Sequence, residues 1–134
     1  MKRKLVRDAL FILTALLVFA PACWAKANGY CYVVGYSFSD KRAFFSPIII
    51  QKVNSKSYSD EEFVTDVELT QKLESQFQSR LSRIRSVKVD QYTISARGAF
   101  KSNTIADGKL KAEIERYETK GFTVKIVTDF VFSD

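Results

Sequence analysis

Acids, arginines, tyrosines and two cysteines are what this sequence has for chemistry; it has no histidine. Without an imidazole there is no usual general base for a serine or cysteine nucleophile, and no imidazole metal ligand. The five glycines, at 29, 35, 98, 108 and 121, are isolated, so no glycine-rich loop can cradle a phosphate. Carboxylate pairs can still do acid–base work. The acids Glu113, Glu115 and Glu118, with Lys109 and Lys111 as neighbours, read as the wet face of a helix. On these grounds no catalytic residue, metal ligand or cofactor is expected.

Two groups remain as candidates for a contact surface. Arg80, Arg83 and Arg85, with Lys88 just beyond, form the densest basic cluster after the first 25 residues. Tyr30, Tyr32 and Tyr36 alternate along one stretch and fall on one side of a strand. Tyrosine buries area while keeping a polar tip, so such a row serves equally as a partner surface or as core beneath a helix.

The compartment is read from the first residues. "MKRKLVRD" carries Lys2, Arg3, Lys4 and Arg7, and an apolar run from Ala9 to Ala20 follows. Twelve helical residues span about 18 Å, short of the roughly 30 Å hydrocarbon core, and Pro21 then interrupts the run. Small residues come next, as a signal peptidase requires. The expectation is a bacterial-type secretory leader over residues 1–25, cleaved after Ala25 or after Ala27, and a secreted or periplasmic domain over 26–134. The alternatives are an uncleaved anchor and a lipid on Cys23, for which "APAC" is a poor recognition sequence.

Half of the net positive charge belongs to this leader. The chain has 21 basic and 15 acidic residues; four bases and one acid precede residue 26, which leaves 17 against 14, a net charge of +3. So small an excess over one domain does not suit a nucleic-acid reader. With Cys23 removed, Cys31 stands alone, and a packed hydrophobic thiol is expected rather than a disulfide.

The periodicities supply the elements that must position these groups. "GYCYVVGYSF" (29–38) reads as a strand with Tyr30, Tyr32, Val34 and Tyr36 on one face and Cys31, Val33 and Gly35 on the other, both fairly apolar. "SDKR" is turn-like and leads to "AFFSPIIIQKV" (43–53), an antiparallel partner in which Pro47 demands an edge or a bulge. Leu73, Phe77, Leu81 and Ile84 recur as one helical face, with Ser59–Glu62 or Thr65–Glu68 as the capping box. A third strand covers 86–98, with Tyr92, Ile94 and Ala96 on one face. A second helix follows, capped by Thr104 and Asp107, striped by Ala106, Leu110, Ile114 and Tyr117, and ended by Gly121. "FTVKIVTDFVF" (122–132) alternates as a last strand.

The order β-β-α-β-α-β predicts an α+β two-layer sandwich, a mixed four-stranded sheet with both helices on one face. The functional expectation is a small envelope binding or accessory protein without catalysis, for example an immunity-type inhibitor. Its partner would be another envelope or secreted protein, not a nucleic acid. The rival is a carboxylate-dependent envelope hydrolase.

Overall fold

The structure, a computed structural model, describes residues 25–134. The expected leader, its expected cleavage site and Cys23 therefore lie outside or at the border of the described residues. No helix among them is long and apolar enough to cross a membrane.

The fold is α+β, with a mixed sheet and two helices. Strand β1 spans Lys26–Ser37, β2 Arg42–Phe45 and β3 Ile49–Asn54. Helix α1 spans Val67–Ser82, and a single 3-10 turn at Val89–Gln91 leads into β4, Thr93–Phe100. Helix α2 spans Asn103–Thr119 and β5 Thr123–Ile126. Long β1 is the spine. One of its edges carries β4, antiparallel, from Tyr30 to Tyr36. The other edge carries β3 against Lys26–Cys31 and β2 against Val34–Ser37, both antiparallel. Parallel β5 closes the far side of β2.

The expected second strand is thus split in two, and the split falls at Pro47. A proline cannot donate to a ladder, and the residue before it repairs the gap. Ser46 donates its N–H to the Val33 carbonyl at 2.9 Å, and its Oγ accepts the Val33 N–H at 2.8 Å. A side-chain oxygen replaces the backbone acceptor at the bulge. This is why a serine can be fully buried there.

The two faces of β1 are both covered, but by different helices. Cys31 and Val33 pack with Leu73, Phe77 and Leu81 of α1. Tyr32 and Val34 pack with Ala106 and Leu110 of α2. The helices therefore flank the sheet from opposite sides, a correction to the expectation of one shared face. The physical reason is in β1 itself: two apolar faces need two covers.

Several boundaries also differ, and β4 begins at Thr93 rather than at residue 86. Helix α1 is capped by Asp66, whose Oδ1 accepts the Glu68 N–H at 3.0 Å. Ser59 caps only a local turn, accepting from Glu61 and Glu62, and Thr65 donates to the Gly98 carbonyl. The segment before α1 instead covers the free edge of β4, with Phe63 N–H to Ala99 O and Lys101 N–H to Glu61 O, both 2.9 Å. Helix α2 is capped by Ser102 rather than Thr104, its Oγ accepting from Ile105 N at 3.1 Å. At its other end Gly121 takes φ +86°, the left-handed conformation expected of it.

The last strand stops at Ile126 although the apolar alternation continues to Phe132. Beyond it the chain crosses to the α1 face, where Val127 and Phe130 are buried. Phe130 meets Phe77 edge-on, with ring centroids 5.2 Å apart. The Gln76 amide pairs with both backbone groups of Ser133, at 2.5 and 2.9 Å. Pairing with a helix side chain thus substitutes for pairing with a strand.

Candidate functional site

Helix α1 ends at Ser82, with Arg83 as its C-cap. The three arginines read as one cluster are consequently placed differently. Arg80, on the last turn, sends a two-pronged bond to Asp129 at 2.9 and 2.8 Å. That bond holds the Asp129 carboxyl below its usual value. Arg83 and Arg85 are exposed and form no ion pair among the described residues. Arg80 and Arg83 share a groove of about 430 Å³ between α1 and the C-terminal segment. Ser75, Gln76, Ser79, Asp129, Phe130 and Val131 complete it. Val131, 80 % exposed, is the most open large apolar side chain among the described residues.

The tyrosines are not part of this groove. Tyr32 is 2 % exposed at the centre of the α2 cluster, and Tyr30 and Tyr36 are half-buried against the same cluster. Tyr36 packs on Tyr117 of α2 at 5.6 Å between centroids. The row is core beneath a helix, and the structure does not bring it together with the arginines, which lie across the sheet. Cys31 is likewise a buried thiol, pushed up to about 11 by desolvation. That value leaves it protonated and inert at neutral pH.

The sequence reading missed the one buried charge among the described residues. Glu113, assigned to a wet helix face, is 4 % exposed. It accepts from Tyr32 Oη at 2.7 Å on Oε1. Arg97 of β4 grips it side-on, with Nε 3.2 and 3.3 Å from its two oxygens and Nη2 3.0 Å from Oε2. Arg97 Nη1 in turn donates to Ser95 Oγ at 2.6 Å. Burial first, then the bond to Glu113, pushes the Tyr32 phenol above its ordinary value. Arg97 is raised first by its own hydrogen bonds to Glu113. The tyrosine is held neutral and the arginine charged.

A signal for this trio was present. Ala106, Leu110, Glu113 and Tyr117 are spaced by four, three and four, so Glu113 lies inside the apolar stripe of α2. Ser95 and Arg97 alternate with Ile94 and Ala96 and must therefore point to the opposite face of β4. What could not be read was that the opposite face is covered by α2. Beside Arg97 and Glu113 a shallow opening of about 240 Å³ is finished by Arg116, Tyr117 and Lys120.

Among the described residues no group of three or more carboxylates and cysteines is placed to hold a metal ion. Set against protein-family models, curated proteins and solved structures, the chain matches none.

Proposed function

We propose that the chain is a secreted or periplasmic binding protein of the bacterial envelope that engages an acidic patch on another protein through the groove between α1 and the C-terminal segment, without catalysis. The groove itself carries this reading. It offers a fixed arginine, Arg80, held by Asp129, a free one, Arg83, and an exposed apolar side chain, Val131. Arginine is enriched among interface hot spots, and a guanidinium already held in place loses less entropy on binding. An immunity-type inhibitor, suppressing the activity of a toxin it binds, is one concrete form of this function. The occupied state of Glu113 argues against the hydrolase reading, because both of its oxygens already accept hydrogen bonds.

The exported protein used as bait in envelope extract tests the proposal. A partner should be captured, and its association should slow as salt rises, since exposed charges are screened over about 8–10 Å. Arg83→Glu with Arg85→Glu should lower the on-rate about tenfold or more at low salt and leave circular dichroism unchanged. Capture that is indifferent to both salt and charge reversal would place the contact elsewhere. Turnover of a cell-wall glycan, lost on changing one carboxylate, would replace the proposal with the enzyme.

A further inference from the structure

We propose that the opening between Arg97 and the last turn of α2 is a binding site for a tetrahedral oxyanion, a phosphate or phosphate-ester group. It lies across the sheet from the α1 groove and is independent of the function proposed for that groove. Five residues finish it: Arg97, Glu113, Arg116, Tyr117 and Lys120. Three are cations and one an anion, so the lining carries a net charge of +2. Arg116 and Lys120 form no ion pair among the described residues. They are four apart, which stacks them on one side of the helix end. The C-terminal dipole of α2 opposes an anion here, but with only about half a charge, and the excess of two positive charges outweighs it.

Arg97 makes the opening more than a basic patch. A guanidinium has five N–H groups. Its side-on grip on Glu113 and its bond to Ser95 occupy one on each nitrogen. One N–H on each terminal nitrogen is left to donate to an oxyanion. Because Glu113 is itself fixed by Tyr32 at 2.7 Å, the guanidinium plane is locked before any ligand arrives. A buried ion pair is often no more stabilising than apolar side chains of the same volume. Placing a guanidinium at the mouth of a cationic opening gives this pair a use that stability does not. The volume, about 240 Å³, is enough for one such group.

The test is a titration of the ¹⁵N-labelled exported protein with inorganic phosphate at constant ionic strength, with chloride as the balancing anion. The Nε–H of Arg97 and the backbone amide of Tyr117 should shift and saturate. Arg116→Gln with Lys120→Gln, both exposed positions, should weaken that binding roughly tenfold or more. The fold and the Arg97 Nε–H resonance should be retained. Glycerol 3-phosphate in a parallel titration separates the sources: affinity equal to that of phosphate assigns the site to a carried phosphate group, and much weaker affinity assigns it to the free ion. Shifts that stay linear with phosphate, saturation that survives the double substitution, or acetate binding more tightly than phosphate would each overturn the proposal.

Discussion

The two faces of the sheet are closed by helices of similar length, sixteen residues for α1 and seventeen for α2, by different means. On the α1 face the seal is apolar and close. Gly35 of β1 brings the sheet so near that a Cβ there would lie 2.6 Å from Leu81 Cδ1. Phe77 and Leu81 are fully buried against it, and Phe130 folds back over Phe77. On the α2 face the centre is polar. Tyr32, Glu113 and Arg97 meet there, with Phe45, Phe100 and Leu110 packed in the same cluster. The first face is held by close apolar packing. The second demands a register, because Glu113 must meet both a strand donor and a neighbouring-strand cation. Shape holds α1, and hydrogen-bond geometry sets where α2 stops sliding.

The largest effect that can break this contrast is a cavity on the apolar face. Phe77→Ala should cost about 3–5 kcal/mol, the range for a fully buried phenylalanine. Denaturant melts check it, and a change within about 0.5 kcal/mol would mean the face is not sealed by shape. On the polar face Glu113→Leu should cost about 3 kcal/mol, the lower end of the range for breaking a buried pair, because Arg97 is still partly open to water. Adding Arg97→Met should recover part of that loss, and Tyr32→Phe as well most of it, since the Tyr32 hydroxyl otherwise stays buried without its acceptor. The recovery is the sharper result, since two apolar substitutions that each destabilise by packing alone would simply add.

The smallest effect comes from pH, and it samples both faces through adjacent residues of β1. Cys31 on the α1 side is raised from 9.0 to about 11 by desolvation. Tyr32 on the α2 side is raised from 10.0, by burial and then by its bond to Glu113. A group whose folded-state value lies above its unfolded one binds its proton more tightly in the native protein. Its stabilisation is complete below the unfolded value and is lost as pH climbs towards the folded one. Stability should therefore hold to about pH 9, fall between 9 and 11 as Cys31 comes into play, and fall further above 10 because of Tyr32. The thiol contribution is about 3 kcal/mol at most. Cys31→Ala should flatten the slope between pH 9 and 11 and leave the part above 10 that Tyr32 carries. A slope unchanged by that substitution would show that the thiol does not titrate with unfolding.

Much of the fold was legible. The alternation of β1, the helical spacing of Leu73, Phe77 and Leu81, and the shared face of Tyr92, Ile94 and Ala96 are all as the periodicities required. So was the break at Pro47, although the sequence did not say that Ser46 would mend it. The candidate site was read less well. The arginines were found but taken as equivalent, whereas a helix end at Ser82 separates Arg80, tied to Asp129, from Arg83 and Arg85. The tyrosine row was found and is core. Glu113 was assigned to water because a carboxylate inside a stripe looks, along one helix, like a neighbour of Lys109 and Lys111. Its real partner is sixteen residues away on another element.

The sequence by itself determined which residues share a face, because that follows from a period of 2 or 3.6 along a single element. It also determined that β1 has two apolar faces to cover and that a ladder must fail at Pro47. Tertiary structure decided which helix covers which face, that residues beyond Ile126 leave the sheet for α1, and that Arg97 meets Glu113. The physical reason is one of range. Periodicity is fixed by local backbone geometry. The partner of a buried charge is fixed by the packing of distant segments, where the cost of leaving it unpaired, rather than any local preference, selects the arrangement.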